Sequence, residues 1–311
     1  MPAGLAWIAP IVITALSLVL TVVGGAVAYL WWAHSAIAGG RNPVWFVAGA
    51  PLAFFALPFL FCLLWFTLSW LFRAPRPPEA RLGIAALGRL WWRELLAIAG
   101  SVPRMIAFRW LMRDPPPAPA PTPVLLLHGV LCNAGVLHPL KRYLAARGIG
   151  PLYALSYGPP LASIESFAGQ TAEKIDAILA ATLARQVVIV AHSMGGLVAR
   201  AYIRRHGGTK LRRVITIGAP HRGSVLAHVF PGRSLSQLRP RSAWLAELGA
   251  SAPAAGPPIV SLWSWHDSMV APQTSSVLER AENVALTGIG HNALLSDPEV
   301  FRRIAAEIER G

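Results

Sequence analysis

Two long stretches of the chain contain no charged residue: Ala6 to Trp32 and Val44 to Phe72. A helix crossing the hydrocarbon core of a bilayer needs about 20 apolar residues, and in lipid only helices and closed barrels satisfy their own backbone groups. Both stretches are long enough, so the sequence predicts two transmembrane helices joined by a turn from Ala33 to Pro43. A cleaved secretory signal competes for the first stretch, because Ala36 to Ala38 offers small residues of the kind found at cleavage sites. It fits poorly, since no Lys or Arg precedes the run, the run exceeds the apolar core of a signal, and a second span follows at once. Pro51 and Pro58 fall inside the second span, where neighbouring helices can satisfy the carbonyls that proline frees.

The formal charge of +14 raises the question of nucleic acid. The basic residues of the first part gather directly after the second span, as Arg73, Arg76, Arg81, Arg89 and Arg93, and no nucleic-acid-binding module accompanies them. That is the placement expected beside anionic lipid head groups, so the partners expected are the bilayer and not nucleic acid. The turn between the spans carries only Arg41. By the bias of Lys and Arg toward cytoplasmic flanks, the C-terminal part of the chain and the N-terminus are expected to face the cytoplasm, with a bacterial inner membrane as the expected location. Cys62 and Cys132 form neither a disulfide framework nor a metal site.

From Glu79 to Gly100 the spacing is helical, with Ile84, Leu87, Leu90, Trp91, Leu95 and Ile98 on one broad face and Arg81, Arg89 and Arg93 on the other; Trp92 and Glu94 spoil the segregation. Such a helix suits the bilayer interface, or equally covers an apolar patch of a neighbouring domain. The run from Asp114 to Pro123 is too rich in proline for a helix or a central strand. The expected organisation is therefore a transmembrane hairpin over 1–72, a basic amphipathic helix and proline-rich linker over 73–122, and a catalytic unit over 123–311.

Beyond Pro123 short apolar runs alternate with helical patterns, the signature of a doubly wound parallel sheet. The strand candidates are Val124 to Leu127, Leu152 to Ser156, Gln186 to Ala191, Val214 to Ile217, Ile259 to Trp263 and Val284 to Thr287. Where the third ends, the chain reads Ala191-His192-Ser193-Met194-Gly195-Gly196. A serine between a strand and a helix, with small residues two positions either side, is a nucleophile elbow, and Ser193 is the candidate nucleophile. After the first strand comes His128-Gly129-Val130, whose Val130 amide, with that of Met194, can donate to a substrate oxyanion. Asp267 after the fifth strand is the candidate acid and His291 after the last strand the candidate base, in the chain order nucleophile, acid, base. Asp176 precedes the nucleophile and Asp297 follows His291, where it suits a helix cap. His128 and His192 are read as turn supports, His221 and His266 as possible pocket residues, and Cys132 as a packed thiol without an elbow. The segment from Gly223 to Pro258 is rich in Leu, Trp, Gly and Pro and reads as a lid or as a packed helix pair.

These motifs, LLLHGVLCNAGV, VVIVAHSMGGLVARAY, TIGAPHRGS, SWHDSMVAP and GIGHNALLSDPEV, resemble the bacterial lipase and esterase branch of the α/β-hydrolases, near the lipase class 2 and PGAP1-like groups. The resemblance implies a serine hydrolase that cleaves esters of lipid or acyl type without metal or cofactor. Acyltransferases and thioesterases share the same parts, and a membrane-anchored binding protein without catalysis is the reading from another class.

Overall fold

A computed structural model describes residues 24–229, 231–250 and 256–310. The first expected span lies largely outside the described residues; its remainder forms a helix over 24–38, α1. The turn to the next helix is shorter than expected, because the Ala36 to Ala38 run continues the helix up to Gly39 and Gly40, the latter at φ +87°. Asn42 accepts a hydrogen bond from the Val44 amide at 2.9 Å, at the start of α2, Val44–Leu71. Tyr29 of α1 donates to the Phe46 carbonyl at 2.6 Å and Trp32 meets the Phe46 ring edge-on at 5.0 Å, so the two helices form a hairpin.

Among the described residues, α2 is the one helix long and apolar enough to cross a membrane. Its 28 residues correspond to about 42 Å at 1.5 Å per residue, against a hydrocarbon core of about 30 Å. Its C-terminal half also makes contact with the later part of the chain. Trp65 is buried with Leu226 and Ala271 of the later unit, and Phe61, Leu68, Val225 and Met269 pack around them. After a short 3₁₀ turn, α3 (Ile84–Ile106) folds back along α2, with Phe59 against Trp91 at 4.8 Å between ring centroids. α3 begins later and ends later than the periodicity predicts. Pro77 and Pro78 hold the chain extended and then in a 3₁₀ turn up to Arg81, and Pro103 lies within the final turns of the helix. A single further turn, Phe108–Leu111, is α4.

The unit that begins at Pro123 contains a six-stranded, wholly parallel sheet in the order β2-β1-β3-β4-β5-β6. The strands are Val124–Leu127 (β1), Leu152–Leu155 (β2), Val187–His192 (β3), Leu211–Ile217 (β4), Ile259–Ser264 (β5) and Glu282–Leu286 (β6). Both faces are covered, as the near-continuous apolar strand sequences require. Val124, Leu126, Val188 and Val190 point into one core, shared with α5 (His138–Ala145) and α10 (Pro298–Glu309). Leu125, Leu127, Ile189 and Ala191 point into the other, with α6 (Ile164–Thr182) and α7 (Met194–His206). The segment after β4 forms α8 (Arg233–Leu238) and α9 (Ala243–Ala250). Leu235, Leu238, Leu245 and Leu248 of these helices are buried in the second core, so the described part of this segment is a packed helix pair. The proline-rich segment runs over the unit's edge, where the Ala120 amide bonds the Thr182 carbonyl at 2.9 Å.

Candidate active site

β1 and β3 are adjacent and level, Leu127 pairing with Ala191. The sheet order turns outward in both directions from them, and in open α/β sheets the crevice at such a switch point, beyond the carboxyl ends of the strands, is where ligands bind. Ser193 stands there between β3 and α7 at φ 56° and ψ −127°, a conformation that a residue with a side chain adopts only when its surroundings hold it. The Ser193 amide is fixed by the Ile217 carbonyl at 2.8 Å. Small neighbours are a steric necessity: a Cβ on Gly195 would lie 2.8 Å from the His128 carbonyl oxygen, and one on Gly129 would lie 2.9 Å from Ser193 Cβ. Gly129 thus packs directly against the serine, and Val130 and Met194 line the same small pocket with His128, Cys132 and Tyr157.

His291 and Asp267 are brought together after β6 and β5, with His291 Nδ1 2.8 Å from Asp267 Oδ2. The second Asp267 oxygen accepts the Met269 and Val270 amides at 2.8 and 2.7 Å, which fixes the carboxylate plane. Burial alone would lower the His291 pKa; the Asp267 charge, their hydrogen bond and the charge of Glu94 outweigh it, so the pKa is raised above the ordinary 6.5. An imidazole held this way, with Nδ1 committed to a carboxylate, is suited to take a proton at Nε2.

The strand order, the strained serine after β3 and the acid–histidine pair after β5 and β6 agree with the comparisons. A palmitoyl protein thioesterase family model matches residues 123–250. A Bacillus licheniformis lipase in its mature form superposes with TM-score 0.55 at 15% identity, covering 63% of this chain and 96% of that chain. Aspergillus fumigatus lipase B superposes with TM-score 0.54 at 18% identity, covering 61% of this chain and 52% of that chain. The unit has the α/β-hydrolase fold.

Elsewhere in this unit the other polar residues make structural contacts. Asp297 caps α10, accepting the Glu299 and Val300 amides at 2.8 and 3.1 Å and pairing with Arg93. Asp176 pairs with Lys210 at 2.5 Å at an exposed site. His128 stacks on Tyr157 at 4.1 Å, His221 contacts Thr216 Oγ1 at 3.0 Å, and His266 Nδ1 accepts the Gly288 amide at 3.1 Å. Burial pushes the Cys132 thiol up to about 12, and its Sγ bonds the Gly129 carbonyl at 3.3 Å, so it is no nucleophile at neutral pH. Among the described residues no group of three or more His, Cys, Asp or Glu is arranged to hold a metal ion.

Groups that the motifs do not reveal come from the N-terminal helices. Ser69 of α2 donates to the Asp267 carbonyl at 2.7 Å and accepts from Gln273 Nε2 at 2.8 Å, while Arg76 Nε donates to the Trp265 carbonyl at 2.9 Å. Glu94 of α3 is fully buried behind the loops that carry Asp267 and His291. The trace of Glu94 in the sequence is its being the lone acid in a helix of apolar and basic residues, which periodicity alone reads as a flaw in an amphipathic pattern.

Proposed function

We propose that this chain is a membrane-anchored serine hydrolase that cleaves carboxylic esters of lipid or acyl type, with Ser193, Asp267 and His291 as its triad. The observation that carries the reading is the buried Asp267–His291 pair on the loops beside a serine held at φ 56°. Ser193 Oγ attacks the ester carbonyl carbon while its proton passes to His291 Nε2. Asp267 holds the imidazolium that forms, and the Val130 and Met194 amides receive the negative oxygen. Collapse of the tetrahedral intermediate expels the alcohol, which takes the proton from His291 and leaves an acyl-enzyme. Water, deprotonated by His291, then releases the acid and restores the serine. No step calls for a metal or cofactor.

Support for an apolar, bilayer-partitioned substrate comes from where the anchor meets the unit. Trp65 and Leu68 of α2 pack against Val225, Leu226, Met269 and Ala271, on the loops that follow β4 and β5 at the catalytic end of the sheet. Trp70 and Phe72 at the end of α2 and Ile84 and Trp92 of α3 are exposed, a set suited to the membrane interface. We read the α1–α2 hairpin as two spans and place the unit on the cytoplasmic side, on the strength of the arginines from Arg73 to Arg93. The palmitoyl protein thioesterase match favours a second reading, an acyl thioester in place of the oxygen ester. Turnover of p-nitrophenyl esters and acyl thioesters of matched chain lengths by the purified full-length protein tests both. The proposal expects hydrolysis that rises with acyl length; no turnover of any ester or thioester would contradict it, and turnover confined to thioesters would favour the second reading.

A further inference from the structure

Glu94 occupies a position where hydrophobic packing predicts a leucine. It lies between Leu90, Leu95 and Ala97 on the buried face of α3 and is 0% exposed. Burying an ionised carboxylate is costly unless hydrogen bonds replace its water, and here four donors do so. Oε1 accepts from the Ser268 hydroxyl at 2.6 Å, the Asn292 amide at 3.0 Å and Asn292 Nδ2 at 2.9 Å; Oε2 accepts the Ala293 amide at 2.9 Å. Ser268 directly follows Asp267, and Asn292 directly follows His291. One side chain from outside the sheet therefore ties together the two loops that must hold acid and base in register. The fit is tight on a third side, since a Cβ on Gly290 would collide with the Glu94 carboxylate.

We propose that Glu94 is a positioning residue of the active site, fixing the Asp267 and His291 loops against each other and setting a second negative charge behind the imidazolium that forms during turnover. This rests on the triad reading. The titratable groups that face His291 are Asp267, His192 and Glu94, and of these Glu94 alone comes from the membrane-proximal part of the chain. The neighbouring Arg93 pairs with the α10 cap Asp297, and Ser69 of α2 holds the Asp267 carbonyl, so the same segment supports the site at three points. The active site is accordingly completed by residues that precede the 123–250 match.

An amide at position 94 turns one of the two accepting oxygens into a donor facing donors, so a clamp that served structure alone would lower kcat without moving the acid limb, whereas a charge that stabilises the imidazolium also moves that limb. In full-length protein with a soluble ester, Glu94→Gln should lower kcat by about 10- to 100-fold at nearly unchanged KM. It should also move the acid limb of the kcat/KM profile to lower pH, because the charge that favours protonated His291 is gone. Glu94→Asp keeps the charge and should leave the limb in place while kcat falls. A Glu94→Gln enzyme with wild-type kcat, or with lowered kcat and an unmoved acid limb, overturns the proposal. Should that variant fail to fold, Ser268→Ala and Asn292→Ala, each removing one donor, should lower kcat at unchanged KM; wild-type kcat in both overturns it equally. Ser193→Ala and Asp267→Asn run alongside: retained activity in these would reject the triad itself, whereas their inactivity beside a wild-type Glu94→Gln would reject only the role of Glu94.

Discussion

Asp267 and His291 lie 24 residues apart and meet at 2.8 Å because β5 and β6 are neighbours and their loops leave the sheet on the same side. The pairing of these two was expected from the sequence, since the candidate acid and base follow the fifth and sixth strand signals in chain order. Glu94, Ser69 and Gln273 were not, because their value depends on a helix folding back across nearly two hundred residues of chain, and no local pattern records that. At this scale Asp267→Asn should lower kcat by about 10⁴, the cost of losing the correct imidazole tautomer in other triads. The raised His291 pKa places the acid limb of kcat/KM above pH 6.5, with activity lost as pH falls through that raised value. Stability carries two opposite signs. His291, raised, contributes fully below 6.5 and loses its contribution as pH rises through its folded value. Burial depresses His128 to about 4, and burial with the Arg76 charge depresses His266 to about 4. These two contribute above 6.5 and lose that contribution as pH falls toward 4, so thermal unfolding followed from pH 7 to pH 4 should show a falling Tm. A flat profile would mean that these histidines are not buried neutral.

Among the elements, the strands matched their sequence signals to within a few residues; the inner strands β1 and β3 are apolar runs buried on both faces, whereas the edge strand β6 is mostly exposed. β4 starts earlier than its apolar core, at Leu211, since Arg212 and Arg213 find partners in Thr122 and in the Glu307 carboxylate of α10. α3 is the element whose role periodicity left open between bilayer and protein, and it serves the protein with Leu90, Glu94, Leu95 and Ala97 while Ile84, Trp92 and Leu96 stay exposed. A chain beginning at Pro121 would lack Glu94, leave the Ala293 amide and the Asn292 side chain without their acceptor, and expose Leu226 and Ala271. Removing a buried acceptor costs about 1–3 kcal/mol per orphaned group, so this chain should unfold at a markedly lower temperature than the full-length protein and turn over soluble esters at least about tenfold more slowly. Equal stability and turnover in the two would show that the N-terminal helices are only an anchor.

For the whole molecule, α2 carries Trp65, Leu68 and Ser69 against the loops after β4 and β5, and if α2 spans a bilayer, as proposed, this contact couples the site to the membrane surface. If the arginines after α2 set the orientation, a fluorescent reporter that matures only in the cytoplasm, fused after Gly311, should glow in a bacterial inner membrane, and an export-dependent phosphatase at the same point should be silent. The reverse pattern would move the unit to the other face. The most direct test of the central claim is fluorophosphonate labelling of the full-length protein in its membrane, with the modified residue mapped by peptide mass spectrometry. The serine-hydrolase account predicts one adduct on Ser193, lost in Ser193→Ala while the variant keeps the wild-type Tm. An adduct elsewhere, or labelling that survives the substitution, would contradict it.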